Sequence, residues 1–213
     1  MKKECCIIGA GPSPAYYIDG MFCIAADAGL EKLDFLGAKP DLIIGDFDSA
    51  GKIPDRECET IVFPVEKDDT DTMLAVKEAI KRGYDRLYLS GCSGGSPDHT
   101  FANIQSLLYA ERHGARAYLV GEEQTAIIIE NRKITLYPEV YGRISVFSIG
   151  DKAQGVTLKG LKYCLENAVL TNDFPLGAGN KFVSPEAEIS VENGALLIFF
   201  DGLPDFVEIS DET

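Results

Sequence analysis

The chain of 213 residues has no tryptophan, two histidines and three methionines, and its six cysteines form no Cys-x-x-Cys pair. With His99 and His113 as the only imidazoles and no paired thiols, a structural zinc site has no ligand set. Cys5, Cys6 and Cys23 fall in apolar runs and read as reduced core thiols. Basic residues are scarce as well, 20 against 34 acidic ones, for a formal net charge of −14. No basic stripe interrupts that balance, which excludes a nucleic-acid partner. Long hydrophobic runs are missing: Met1-Lys2-Lys3-Glu4 leads only into the short stretch 5–10, too brief for a signal peptide or a membrane span. The expectation is a cytoplasmic protein with no membrane partner. Low-complexity tracts and internal repeats are also missing, and 46% hydrophobic with 25% charged residues describe an ordinary folded chain. An acidic surface mainly aids solubility, but acids gathered in a cleft concentrate Mg²⁺ or a cationic substrate.

Up to residue 130, short apolar runs alternate with amphipathic segments, each run ending in Gly or Asp. Strands are predicted at 5–9, 22–26, 42–45, 60–63, 86–90, 116–120 and 125–129. A helix is predicted from Asp71 to Arg82, capped by Thr70 and ended by Gly83, with Met73, Val76, Ala79 and Ile80 at helical spacing. A second runs from Asp98 to Arg112, with Phe101, Ile104, Leu107 and Leu108 as its buried stripe. After residue 131 the helical period disappears, and short strands are predicted at 133–136, 143–148, 154–158, 188–191 and 196–200. The reading is a Rossmann-like α/β domain with a mostly parallel sheet over residues 1–130, then an all-β sandwich over 131–213.

Ligands of open parallel sheets gather at the carboxyl ends of strands. Acids fall at three such ends: Asp27; Asp46 and Asp48; and Asp68, Asp69 and Asp71. One Asp alone reads as a cap or turn residue. Several converging on one edge repel each other unless a cation binds, and oxygen-only ligands select Mg²⁺. Mg²⁺ held by carboxylates and substrate phosphates points to nucleotide chemistry. Neither GxxxxGK[ST] nor GxGxxG occurs. Gly9-Ala10-Gly11-Pro12-Ser13 either presents backbone N–H groups to a phosphate or is a plain βα turn. Asp98, at a helix start, is either an N-cap or a substrate ligand, and His99 and Asn103 share one helical face.

Gly45-Asp46-Phe47-Asp48-Ser49, Lys67-Asp68-Asp69-Thr70-Asp71, Asp98-His99 before Ala102-Asn103, and Gly160-Leu161-Lys162-Tyr163 occur in that order. In order and spacing the chain resembles thiamine pyrophosphokinases of the bacterial type over nearly its whole length. The resemblance implies an α/β domain followed by a β-sandwich, a homodimer with thiamine near the subunit interface, and transfer of diphosphate from ATP to thiamine. It implies that Asp46, Asp48, Asp68 and Asp71 form the Mg²⁺–diphosphate site, with Asp46, Asp48 and Asp71 as metal ligands. Asp27, Gly29, Ser49, Lys67 and Thr70 would line the nucleotide side, with His99 and Asn103 as further contacts and Asn180 on thiamine. Two positions depart from the family pattern: Ser96 stands where the family commonly has an arginine, and Gly179 where it has a serine. The first removes a phosphate-binding cation.

The expected reaction is attack of the thiamine hydroxyl on the β-phosphorus of ATP, with Asp71 or Asp98 accepting the proton. The alternatives are a diphosphokinase of the same scaffold acting on another alcohol, such as a hydroxymethyl-pterin, and a non-catalytic nucleotide-binding dimer.

Overall fold

The computed structural model describes residues 3–46, 57–64, 66 and 68–212. It divides the chain into two compact units, 1–121 and 122–213.

The first unit is built on a parallel sheet of six strands: β1 (Glu4–Ile8), β2 (Phe22–Ala26), β3 (Leu42–Gly45), β4 (Glu59–Val62), β5 (Arg86–Ser90) and β6 (Arg116–Val120). Their spatial order is β4-β3-β2-β1-β5-β6. Cys5 to Ile8, Cys23 to Ala25 and Leu42 to Ile44 are all fully buried. Unbroken apolar runs rather than alternation are what a sheet covered on both faces requires. Burial pushes the Cys5 thiol far above its ordinary range, and a hydrogen bond with Cys6, followed by burial, does the same to Cys23. All six cysteines are free thiols.

Among the described residues three helices connect strands: α1 (Gly29–Leu36), α2 (Asp71–Lys81) and α3 (Pro97–Arg112). The predicted α2 forms where expected. Thr70 Oγ1 accepts the Met73 N–H at 3.1 Å, and after Arg82 the left-handed Gly83 (φ 80°) lets the Gly83 and Tyr84 N–H groups reach the Ile80 and Ala79 carbonyls. In α3 two details differ from the expectation. Its N-cap residue is Ser96, so Asp98 lies inside the first turn, and Phe101 is 57% exposed, the inner face being Asn103, Ile104, Ser106, Leu107 and Ala110. Helix α1 lies outside the sequence pattern because only Gly29 and Leu33 are buried while Phe35 and Leu36 are exposed. No helix among the described residues is long and apolar enough to cross a membrane.

The second unit is wholly antiparallel. Strands β7 (Gln124–Glu130), β14 (Ala195–Asp201), β9 (Arg143–Ser148) and β12 (Asn180–Lys181) pair in that order. The other sheet runs β11 (Leu165–Thr171), β10 (Lys152–Lys159), β13 (Ala187–Ser190), β8 (Lys133–Pro138) and β15 (Val207–Glu212). The division falls after residue 121 rather than 130, because every residue of β7 pairs with β14. The run at 125–129 therefore belongs to the second unit, not the first.

Candidate active site

Strand order positions the site. From β1 the chain moves outward through β2, β3 and β4, then restarts at β5 on the other side of β1. At such a reversal of strand order, the carboxyl ends of the strands are where an open sheet holds its ligand. A cavity of about 250 Å³ lies there, lined by Ala10 and Gly11 after β1, Asp27 after β2, Thr70, Asp71 and Thr72 at the start of α2, Gly91, Cys92 and Gly94 after β5, and His99 and Asn103 on α3.

Each lining side chain is placed by a local cause. Asp27 has φ 50°, a left-handed conformation rare outside glycine but tolerated by Asp, which turns the chain abruptly at the end of β2. Its own N–H donates to the Ile44 carbonyl at 2.8 Å, holding the turn against β3. Thr70 and Asp71 reach the cleft because the cap bond fixes the first turn of α2. The neighbouring Asp69 is engaged elsewhere, both carboxylate oxygens lying 2.7 Å from Lys77 Nζ. Asn103, 7% exposed, donates from Nδ2 to the Cys92 carbonyl at 2.7 Å and ties α3 to the loop after β5. The Cys92 thiol donates to the Ser90 carbonyl, and burial pushes it up to about 11, so it is neutral at ordinary pH and is no nucleophile.

Five of the residues singled out in the sequence thus share one cleft: Asp27, Thr70, Asp71, His99 and Asn103. Others do not line it. Asp46 is half-buried at the end of β3 and Asp68 is exposed before α2. Asp48, Ser49 and Lys67 lie outside the described residues. Asp98 is exposed, and its carboxyl is held below the usual range by the Ser96 hydroxyl and then by the His99 N–H. Ser96 therefore spends its hydroxyl on Asp98 instead of capping α3. Gly29 begins α1 where a Cβ would overlap the Ile8 carbonyl oxygen, so its small size serves the contact of helix and strand.

The loop after β1 is a turn rather than a cradle. The N–H groups of Gly9, Gly11 and Ser13 donate to the carbonyls of Ser90, Gly91 and Ser93, at 2.8, 2.6 and 3.2 Å. The Tyr16 N–H goes to Ser90 Oγ. Pro12 and Pro14 have no N–H to offer. This lacing to the β5 loop commits those three N–H groups, which are then not offered to a phosphate. Lys32, which sequence reasoning missed, reaches under the same loop from α1. Its ammonium donates to the Gly11 carbonyl and, at 2.6 Å, to the Ser13 carbonyl. A lysine inside a short helix carries no signal in sequence; only the fold brings it to the loop.

In the second unit Asn180 is 3% exposed and its amide is hydrogen-bonded at both Oδ1 and Nδ2. Oδ1 accepts the N–H groups of Tyr163 (3.0 Å) and Lys181 (2.9 Å), and Nδ2 donates to the Tyr163 carbonyl at 2.7 Å. Asn180 thus fixes the Gly160-Leu161-Lys162-Tyr163 turn, leaving the Tyr163 ring 58% exposed with Lys162 Nζ 5.2 Å from its centroid. Gly179 sits at φ 69°, a conformation in which a serine would be strained.

A parallel sheet with a switch-point cleft, lined by carboxylates and hydroxyls, defines an α/β protein that binds its ligand at the strand ends. Comparison with known proteins narrows the class. The family model described as the thiamin pyrophosphokinase catalytic domain matches residues 16–119, and that of the thiamin pyrophosphokinase vitamin B1 binding domain matches 131–196. A thiamine pyrophosphokinase of Bacillus subtilis is 26% identical over 204 residues, covering 90% of this chain and 95% of its own. The crystal structure of a B. subtilis thiamine pyrophosphokinase is similar with a TM-score of 0.83 at 24% identity, over 93% of this chain and 99% of that one. The thiamin pyrophosphokinase of Candida albicans shares the fold at a TM-score of 0.76 and 13% identity, over 94% and 89% of the two chains. The chain belongs to the thiamin pyrophosphokinase family.

Proposed function

We propose that the protein transfers the diphosphate group of ATP to the hydroxyl of thiamine, giving thiamine diphosphate and AMP. The observation that carries this reading is the single cleft shared by Asp71, Asp27, Thr70, His99 and Asn103 at the switch point, inside a chain that both family models match. In the reaction the thiamine hydroxyl oxygen bonds to the β-phosphorus as the bond from that phosphorus to the α-bridging oxygen breaks. The electron pair leaves with AMP, and the hydroxyl proton passes to a carboxylate. We assign that carboxylate to Asp71, because it lines the cleft, whereas Asp98 is exposed and engaged with Ser96.

The donor set suits a hard cation. The titratable lining side chains are two carboxylates, His99 and a buried, protonated thiol, so a soft metal finds no thiolate. Among the described residues no three His, Cys, Asp or Glu side chains gather into a metal-holding group. The proposed ligand set, Asp46, Asp48 and Asp71, includes Asp48 from outside them. When bound there, Mg²⁺ supplies charge neutralisation for the transferred group. Asp68, Ser49 and Lys67 complete the diphosphate and nucleotide contacts, and Asn180 acts on thiamine through Tyr163. By the same resemblance the enzyme works as a cytoplasmic homodimer, and its first unit as a Rossmann-like nucleotide domain.

The test is turnover with ATP, Mg²⁺ and thiamine, with a hydroxymethyl-pterin and thiamine monophosphate as parallel substrates. AMP released with thiamine alone is the expected result. ATP binding with no AMP from thiamine, or AMP from the pterin only, overturns the assignment.

A further inference from the structure

The cleft has a charge problem. Its titratable lining residues are Asp27, Asp71, His99 and the neutral Cys92, while a nucleoside triphosphate brings several negative charges of its own. Among the described residues lining the cleft, none carries a fixed positive charge. Ser96 contributes no charge, and the N–H groups of Gly9, Gly11 and Ser13 are committed to the β5 loop.

Lys32 does not itself line the cleft, but its Nζ reaches Gly11 and Gly91, which do. The two carbonyls it takes, Gly11 and Ser13, each precede a proline, so their peptide units carry no N–H and present only an oxygen. Left facing the cleft, both oxygens would repel phosphate; held by the ammonium they are turned to it and neutralised. The ammonium also lies close under Gly91, where a Cβ would be 2.8 Å from Nζ, and both Gly11 and Gly91 line the cavity. No carboxylate among the described residues pairs with it, so its charge is not cancelled locally. Burial lowers the pKa of Lys32, and the two carbonyl dipoles act against that shift by favouring the charged form.

We propose that Lys32 is a positive group of this cleft, additional to Lys67 and Mg²⁺: it holds the Gly11 and Ser13 carbonyls and offsets part of the charge of the nucleotide's phosphates near Gly11 and Gly91. The inference rests on the diphosphokinase reading and adds a binding residue to it. It is a positioning and charge-balancing role, with no bond made or broken at Lys32.

The experiment is equilibrium binding of ATP, ADP, AMP and adenosine to the full-length protein and to Lys32→Met, Lys32→Gln and Lys32→Arg, at fixed ionic strength with Mg²⁺. Lys32→Met should weaken ATP about tenfold, with the loss shrinking through ADP and AMP and vanishing for adenosine. Lys32→Gln keeps donors for the carbonyls without the charge and should show the same gradient, whereas Lys32→Arg should stay close to wild type. An equal loss for all four ligands makes Lys32 a structural residue only and overturns the proposal, as does unchanged ATP binding in both uncharged variants. If Lys32→Met does not fold, Lys32→Gln decides; if no variant folds, the role is structural and the proposal falls. Wild-type protein that binds no ATP would instead refute the reaction itself, so the two failures are distinguishable.

Discussion

Replacing Asp71 with asparagine is expected to lower turnover about a thousandfold while the protein melts within about 2 °C of wild type. The large kinetic effect follows from position. Asp71 is half-buried at the first position of α2 and lines the cleft with Asp27. Asparagine keeps the size and can still hydrogen-bond, but it neither accepts the substrate proton nor holds a cation. The small thermal effect has an equally local origin. The cap of α2 is the Thr70 hydroxyl on the Met73 N–H, which the substitution leaves intact. What disappears is one negative charge near the positive end of the helix, about 0.5 kcal/mol. Steady-state rates of AMP formation and a thermal melt check both halves. Turnover within tenfold of wild type would remove Asp71 from the reaction.

Gly29→Ala should do the reverse, costing about 3 kcal/mol or more of stability and roughly 10 °C in Tm. The added methyl would overlap the Ile8 carbonyl oxygen, and the first turn of α1 has no room to retreat without shifting against β1. A variant that melts with wild type but binds ATP poorly would return Gly29 to the nucleotide contacts that family resemblance implied for it. Differential scanning calorimetry with a parallel ATP titration separates the two outcomes.

The contrast between Asp71 and Gly29 shows what could be read from the chain alone. Acids at strand ends are visible because a strand's apolar run stops where the loop begins, so Asp27 and Asp71 could be placed near one sheet edge before any coordinates. Helix α2 was legible for the same kind of reason: its period, cap and stop agree. Less legible was anything decided by pairing between distant segments. That the N–H groups of Gly9, Gly11 and Ser13 are spent on residues 90–93 depends on β1 lying beside β5, some 80 positions away in sequence. Lys32 became visible only through that pairing. Asn180 was legible as a polar residue of interest, but its amide holds Tyr163 and Lys181 in place, a structural role that the sequence did not show.

Strands β11 and β15, unforeseen in the sequence, are the two edges of the five-stranded sheet. Only Leu170 in β11 is buried, so the alternation that reveals a strand has nothing to print it. Phe101 illustrates the opposite error: an apolar residue at helical spacing that faces solvent because α3 turns Asn103 and Ser106 inward. The early boundary after residue 121 has the same origin, since β7 reads as one more buried run until its partner is known to be β14.

In the proposed reaction two phosphoryl groups move together from ATP to thiamine. Phosphorus NMR of the reaction with ATP, Mg²⁺ and thiamine tests it most directly, because AMP and thiamine diphosphate give resonances distinct from those of ADP and thiamine monophosphate. AMP and thiamine diphosphate should rise in equal amounts as ATP falls, with no ADP formed. ADP together with thiamine monophosphate would place the cleavage at the γ-phosphorus and contradict it.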